Sequence, residues 1–119
     1  MAYQIIDNNI VIPKGDTADI PLTFNIDITG STVYLSAKSN LDNTTFDLQV
    51  SNSVHDDPIN GITHIEITTT DSNIAAGNYY VDFVIVLFSG DRHTFYPKIE
   101  NTYDGEIDYL VIQQHANEV

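Results

Sequence analysis

Apolar and polar residues alternate in several short runs along the chain, and this period of two predicts β-strands. The clearest run spans residues 20–28, where every second residue is apolar and those between are mostly polar. Alternation of this kind places one face of a strand in a core and the other in solvent. Pro21 lacks the amide hydrogen that a sheet ladder requires, so we expect an edge position or a bulge near the start of this strand.

The other strands follow from the same alternation and from the turn residues between the runs. The run at 79–88 carries apolar residues on both faces, which is typical of a central strand. Asn60 and Gly61 tolerate positive φ and predict a turn into the next strand, whereas residues 71–77 are expected to form a single helical turn at most. Further strands are predicted at 33–38, 46–50, 64–70, 92–99 and 106–112.

This pattern predicts an all-β fold. About eight short strands with no amphipathic helix indicate an immunoglobulin-like antiparallel β-sandwich with Greek-key connections and about seven to nine strands. A length of 119 residues suits one domain over 1–119, with its core at about 10–112 and loosely held termini. Gly77 ends a connecting turn, and we expect Tyr79 to be the corner tyrosine that hydrogen-bonds back to that turn.

Composition excludes several classes of function. The chain carries 17 acidic residues against four basic ones, for a formal net charge of -13. Such a surface repels phosphate backbones and anionic headgroups, so we expect no binding of nucleic acid. Without cysteine there is no disulfide, thiolate metal site or cysteine nucleophile. The start lacks the features of a secretory signal and no apolar run is long enough to insert in a membrane, so we expect synthesis in a reducing cytoplasm.

The sequence contains no recognisable catalytic motif, and we predict that the protein is not an enzyme and needs no cofactor. No serine is framed by glycines and no phosphate-binding glycine loop is present. The four histidines have no metal-ligand spacing. A pair of carboxylates of the kind that glycosidases use stays an open alternative, because acidic residues are abundant.

Two sets of side chains are candidates for contacts with a partner or a ligand. Exposed tyrosines are frequent in protein and carbohydrate interfaces, although tyrosines also fill gaps at sheet edges. Clustered carboxylates can present oxygens to calcium, but neither cluster matches the helical calcium loop, and chance clustering is the alternative in so acidic a chain. The tyrosines are Tyr80, Tyr96, Tyr103 and Tyr109, and the weak calcium candidates are Asp56, Asp57, Asp104, Glu106 and Asp108.

Four landmarks in order resemble one protein family. They are IPKGDT at 12–17, DITGSTV at 27–33, GITHIEI at 61–67, and a Thr-Asp pair at 70–71 that leads into AGNYYVDF at 76–83. Together they are similar to the immunoglobulin-like N-terminal domain of the baseplate upper proteins of phages that infect Gram-positive bacteria. In that family the domain precedes a longer shaft or receptor-binding region, whereas this chain ends at Val119 and its closing segment, 103–114, is more apolar.

The resemblance implies a structural virion protein of a bacterial virus, a tail or baseplate component made in the host cytoplasm. We expect it to act through contacts with other virion proteins and to form a homo-oligomer. The family carries no catalytic residues to this chain. The alternatives are a carbohydrate- or receptor-binding adhesion module, a capsid decoration protein, and a bacterial immunoglobulin-like domain with no viral role.

Overall fold

The alternating runs form two β-sheets that pack face to face around one apolar core, as the all-β prediction required. The computed structural model describes residues 3–94, 98–99 and 107–114. Its helical segments are the 3-10 turn Pro58–Asn60 and the short helix α1, Thr69–Ser72. The strands are β1 (Gln4–Ile6), β2 (Asn9–Pro13), β3 (Ala18–Thr23), β4 (Thr32–Lys38), β5 (Leu48–Asn52), β6 (Ile62–Ile67), β7 (Gly77–Val86), β8 (Arg92–Thr94), β9 (Lys98–Ile99) and β10 (Tyr109–Gln113).

The larger sheet contains seven strands in the order β1-β2-β10-β7-β4-β5, with β8 also paired to β7. Strand β7 lies at its centre, as its apolar sequence predicted. Burial covers both faces of β7 only at the consecutive residues Phe83, Val84 and Ile85. Before them buried and exposed residues alternate, so the first half of the strand is covered on one face alone. Strands β2 and β10 pair in parallel, with Leu110 opposite Ile10, so this sheet is mixed and not purely antiparallel.

The smaller sheet contains three strands in the order β6-β3-β9. Strand β3 pairs with β6 from Ala18 opposite Ile67 to Thr23 opposite Ile62. Pro21 lies in this central strand opposite His64, and the described pairing with β9 covers Leu22 and Thr23.

One predicted strand, 92–99, is two strands in different sheets. Strand β8 pairs with β7 in the larger sheet, and β9 pairs with β3 in the smaller sheet. Thr94 therefore belongs to one layer of the sandwich and Lys98 to the other. Pro97, which suggested an edge or a break, lies outside the described residues.

The core lies between the two sheets and forms one cluster. Every second residue of β3 and β6 enters the core from the smaller sheet, and every second residue of β4 enters it from the larger sheet. The residues that alternate as apolar in the sequence are therefore the buried ones. Beyond the period-two runs, β2 contributes Ile10 and Ile12. The largest fully buried side chains are Ile10, Ile12, Ile20, Leu22, Ile28, Leu35, Ile65, Ile67, Phe83, Ile85, Ile99 and Leu110.

The first strong run leaves the sheet earlier than predicted. Strand β3 ends at Thr23, although Phe24 and Ile28 remain buried. The amide of Phe24 donates to the carbonyl of Gly61 at 2.8 Å, and the amide of Ile28 donates to the carbonyl of Pro58, also at 2.8 Å. Alternation beyond residue 23 therefore reflects the burial of an irregular segment that is held by the loop before β6.

Three further boundaries differ from the prediction. The start of the chain, expected to be loose, forms β1 and carries the buried Tyr3. Phe46 lies outside β5 and is 45% exposed. The threonine run after β6 turns into α1 because Thr68 caps the helix: its hydroxyl accepts from the Asp71 amide, and the Asp71 carboxylate accepts from the Thr68 amide. The immunoglobulin-like Greek-key assignment itself stays a prediction.

Candidate functional site

Two of the four candidate tyrosines lie side by side on the outer face of the larger sheet. Tyr80 is on β7 and Tyr109 is on the neighbouring β10, and their ring centroids are 5.5 Å apart at an interplanar angle of 50°. Tyr80 is 41% exposed. Such a tilted pair offers a broad aromatic surface with two polar hydroxyls. Tyr96 and Tyr103 lie outside the described residues.

Tyr80 also lines a groove of about 390 Å³, which we call the outer groove. The groove runs over the outward-facing side chains of β4 and β7, which the core does not use. Its rim carries two large apolar side chains from the loop before β5, Leu41 and Phe46, of which Leu41 is 64% exposed. The lining residues that bear on recognition are Lys38, Leu41, Phe46, Tyr80, Arg92 and Asp108.

The outer groove carries charged side chains of both signs, Lys38 and Arg92 together with Asp82 and Asp108. Lys38 and Arg92, two of the four basic residues in the chain, line it. The Lys38 ammonium donates to the carbonyl of Asn43 at 2.8 Å and lies 5.0 Å from the centroid of the Phe46 ring. This lysine therefore anchors the loop that carries the apolar rim, by a hydrogen bond and a cation–π contact.

A second cluster, which we call the His64 cluster, consists of Asp19, Asp56, His64 and Glu66 beside the smaller sheet. Asp19 pairs with Glu66, and Pro21 pairs with His64, in the register of β3 and β6. Nδ1 of His64 lies 2.9 Å from Oδ2 of Asp56, and Nε2 lies 3.5 Å from Oε1 of Glu66. One potential ligand atom from each of Asp19, His64 and Glu66 falls within 4.8 Å of the other two.

The carboxylates of this cluster favour the charged form of the imidazole. The hydrogen bond that Nδ1 of His64 donates to Asp56 is the largest cause that raises the pKa of His64 above its ordinary value, and the negative charges of Asp56, Asp19 and Glu66 act in the same direction. Partial burial opposes them. His64 therefore carries more positive charge near neutral pH than an isolated histidine would.

The carboxylates considered for calcium are used in separate contacts. Asp56 binds His64, and the Asp57 carboxylate accepts a hydrogen bond from Nδ2 of Asn60 at 2.8 Å. Asp108 lines the outer groove. Asp104 and Glu106 lie outside the described residues. The side chains that the structure does bring together, Asp19 and Glu66 with His64, were not candidates in the sequence.

Tyr79, the residue predicted to be a corner tyrosine, is hydrogen-bonded to the connection before β7. Its side chain is 4% exposed, and its hydroxyl donates to the carbonyl of Ala75 at 2.5 Å, four residues upstream. Gly77 begins β7 between the two and has no atom within 4 Å of the place where a Cβ would stand. The hydrogen bond ties the connection after α1 to the central strand, which is a structural contribution.

His55 lies in a partly buried polar network with Ser31 and Thr63, in which the serine and the histidine have the arrangement of a nucleophile and a general base. Nε2 of His55 lies 3.1 Å from Oγ of Ser31, and Nδ1 lies 2.8 Å from Oγ1 of Thr63. Nε2 also lies 2.9 Å from the Ser31 carbonyl, which only accepts, so Nε2 must carry a proton and cannot take one from the serine. Ser31 is 1% exposed. The network therefore joins the segments before β4 and within β6 without activating a nucleophile.

Comparison of the chain with protein-family models, with curated proteins and with solved structures finds no match. Within the part of the chain that the structure describes, no helix has the length and apolar character needed to cross a bilayer.

Sequence reasoning missed most of the residues that form these two sites. His64 and Glu66 are two apart on one strand and must share a face, a signal that could have paired them. Asp19 carries no such signal, because its neighbour Glu66 is 47 positions away and only the β3–β6 register joins them. Lys38 and Arg92 likewise come to line one groove only through the pairing of β4, β7 and β8.

Proposed function

We propose that this chain is a structural virion protein of a bacterial virus, a tail or baseplate component that assembles through the outer groove. The landmarks quoted above, from 12–17 to 76–83, supply the viral part of the proposal by resemblance. The groove supplies the part that concerns protein contacts. On this proposal the protein is made in the host cytoplasm and acts in the virion.

The observation that carries the proposal is the composition of the outer groove. Protein interfaces are enriched in aromatic residues and arginine, and tyrosine and arginine are frequent among the residues that dominate binding energy. The groove combines Phe46, Tyr80 and Arg92 with the exposed Leu41. Because these side chains face away from the core, their apolar area is free to be buried by another protein.

The groove offers charged contacts of both signs in a chain that is otherwise strongly acidic. The chain has a net charge of -13, so copies repel one another in general. In the groove, Lys38 and Arg92 can pair with acidic side chains of a neighbouring copy or of another virion protein, and Asp82 and Asp108 can pair with basic ones. A groove that binds a different surface of the next copy forms a heterologous contact, which closes into a ring when the rotation permits.

Light scattering on the full chain tests this proposal. We expect the wild-type protein to have the mass of a closed oligomer, alone or with a partner virion protein, and Phe46→Ser to lower that mass by removing the aromatic rim. The matched control is Val54→Ser, since Val54 is 77% exposed and does not line the groove. Thermal unfolding by circular dichroism verifies that both variants fold. An unchanged mass for Phe46→Ser, or equal losses in the two variants, would contradict the proposal.

A carbohydrate- or receptor-binding module is the second candidate, and one observation favours it. The adjacent rings of Tyr80 and Tyr109 lie beside the carboxylates of Asp82 and Asp108 at the groove. Aromatic faces stack on sugar rings, and carboxylates accept hydrogen bonds from sugar hydroxyls. A monomeric wild-type protein that binds host-envelope glycans, and loses this binding in Tyr80→Ala, would place the adhesion function ahead of assembly.

A further inference from the structure

The His64 cluster has one feature that an ordinary exposed ion pair lacks, namely a fixed direction for each imidazole nitrogen. The Asp56 carboxylate only accepts hydrogen bonds when ionised, so the contact of 2.9 Å requires Nδ1 of His64 to carry a proton. Nε2 is then directed away from Asp56 and towards Glu66, whose Oε1 lies 3.5 Å from it. This is the carboxylate–histidine arrangement that orients metal-ligating imidazoles in proteins.

The face of the cluster opposite Asp56 is electrostatically suited to a positive charge at Nε2. In the neutral imidazole, the lone pair of Nε2 faces the carboxylates of Asp19 and Glu66, and like partial charges at this separation repel one another. Either a proton on Nε2 or a metal cation between the three groups converts the repulsion into attraction, so a metal ion that binds here displaces that proton. Because Asp56 occupies Nδ1, it stays outside the space that such a cation would fill.

The separations suit a small divalent metal ion. Zinc binds histidine nitrogen and carboxylate oxygen at about 2.0–2.2 Å, so two ligands of one ion lie roughly 3.2–4.2 Å apart. The ligand atoms of Asp19, His64 and Glu66 lie within 4.8 Å of one another. Asp19 and Glu66 are both exposed, so their carboxylates can close the remaining distance by small side-chain rotations.

We propose that Asp19, His64 and Glu66 form a binding site for zinc or a similar borderline divalent ion, with Asp56 as the residue that orients His64. One nitrogen and two oxygen ligands favour this class of ion. Calcium prefers six to eight oxygens and is disfavoured by the imidazole. Because Asp19 and Glu66 are exposed, water has access to a fourth ligand position.

Isothermal titration calorimetry of the full chain with zinc chloride and, separately, calcium chloride tests the site. We expect zinc to bind at one site per chain, and calcium to bind at least about 100-fold more weakly. His64→Gln removes the nitrogen ligand and should weaken zinc binding about 100-fold or more. Asp56→Asn keeps the hydrogen-bonding shape but not the charge, and should weaken binding about 10-fold to 100-fold, as loss of an orienting partner does.

The matched control is His93→Gln, since His93 is an exposed histidine on β8 in the other sheet. It should bind zinc as the wild-type protein does. A second measurement reports the ligand atom directly: in nitrogen-15 spectra of the imidazoles, zinc should shift Nε2 of His64 and leave His55 unshifted. Three results would each overturn the proposal: no zinc binding below about 1 mM, unchanged affinity in His64→Gln, or zinc-dependent shifts at another histidine.

Discussion

Gly61 occupies the most restricted backbone position in the loop before β6, and replacing it with alanine tests how this loop holds the first strong run. Gly61 has a φ of +74°, in the left-handed region. A Cβ at this position would lie 2.1 Å from the carbonyl oxygen of Phe24 and 2.7 Å from that of Ile26. Ordinary contacts between carbon and oxygen are about 3.3 Å or longer. Because the opposing atoms belong to the backbone, no side-chain rotation relieves the clash.

The loss in free energy of unfolding can be estimated from the backbone strain at Gly61 and from the displacement of the 24–28 segment. The left-handed conformation costs alanine roughly 1–2 kcal/mol, of which about 0.4–1 kcal/mol is recovered through the less flexible unfolded chain. Moving the 24–28 segment by about 1 Å also breaks its hydrogen bonds to the carbonyls of Gly61 and Pro58, each worth about 1 kcal/mol. It disturbs the packing of Phe24 and Ile28 as well. We expect Gly61→Ala to lower the free energy of unfolding by about 4 kcal/mol, a large part of the stability of a small domain.

Gly15→Ala is the matched control. Gly15 has a φ of +82°, but no atom lies within 4 Å of its Cβ position. Its alanine variant should therefore lose only about 1 kcal/mol, from the backbone conformation alone. Urea unfolding followed by far-ultraviolet circular dichroism measures both values by linear extrapolation, with equal slopes as the check on two-state behaviour. Equal losses in the two variants would refute the steric argument.

Two further predictions concern single contacts. Tyr79→Phe removes the hydrogen bond to the carbonyl of Ala75 and should lower the free energy of unfolding by about 1–2 kcal/mol in urea, whereas Tyr80→Phe, on the exposed face, should change it by less than about 0.5 kcal/mol; equal effects would argue against the corner contact. Asp56→Asn should lower the pKa of His64 towards its ordinary value in an NMR titration, because its largest supporting contact is lost. Since the pKa of His64 is raised in the folded state, the associated stabilisation is complete below the unfolded-state value of about 6.5 and is lost as pH rises through the folded-state pKa. A pKa that is unchanged in the variant would contradict this assignment.

The best sequence predictions were those that depend on neighbouring residues alone. The alternation of Val33, Leu35 and Ala37 predicted β4, and each of these side chains is buried. Asn60 and Gly61 predicted a turn into β6, and Gly61 does adopt the left-handed conformation there. These features can be predicted from sequence because successive side chains of a strand point to opposite faces and because few residues tolerate positive φ.

The errors occur where distant segments decide the outcome. Strand β2 buries Ile10, Val11 and Ile12 in succession, so both of its faces are covered and its apolar run lacks the alternation that marks a half-buried strand. The run after Thr23 is buried but irregular, because its amides bond to the loop before β6 and not to a neighbouring strand. The threonines after β6 favour a strand by composition, but the cap formed by Thr68 and Asp71 starts a helix instead.

The sequence by itself determined the all-β class, the faces of β4 and β6, and the turn at Gly61, since local periodicity and backbone sterics are properties of adjacent residues. Only the tertiary structure decided the strand order, the parallel pairing of β2 with β10, and the separation of β8 from β9. It alone placed Tyr80 beside Tyr109 and brought Asp19 to His64. These pairs are far apart in the chain, and their approach depends on which strands are neighbours and in what register, which no local pattern encodes.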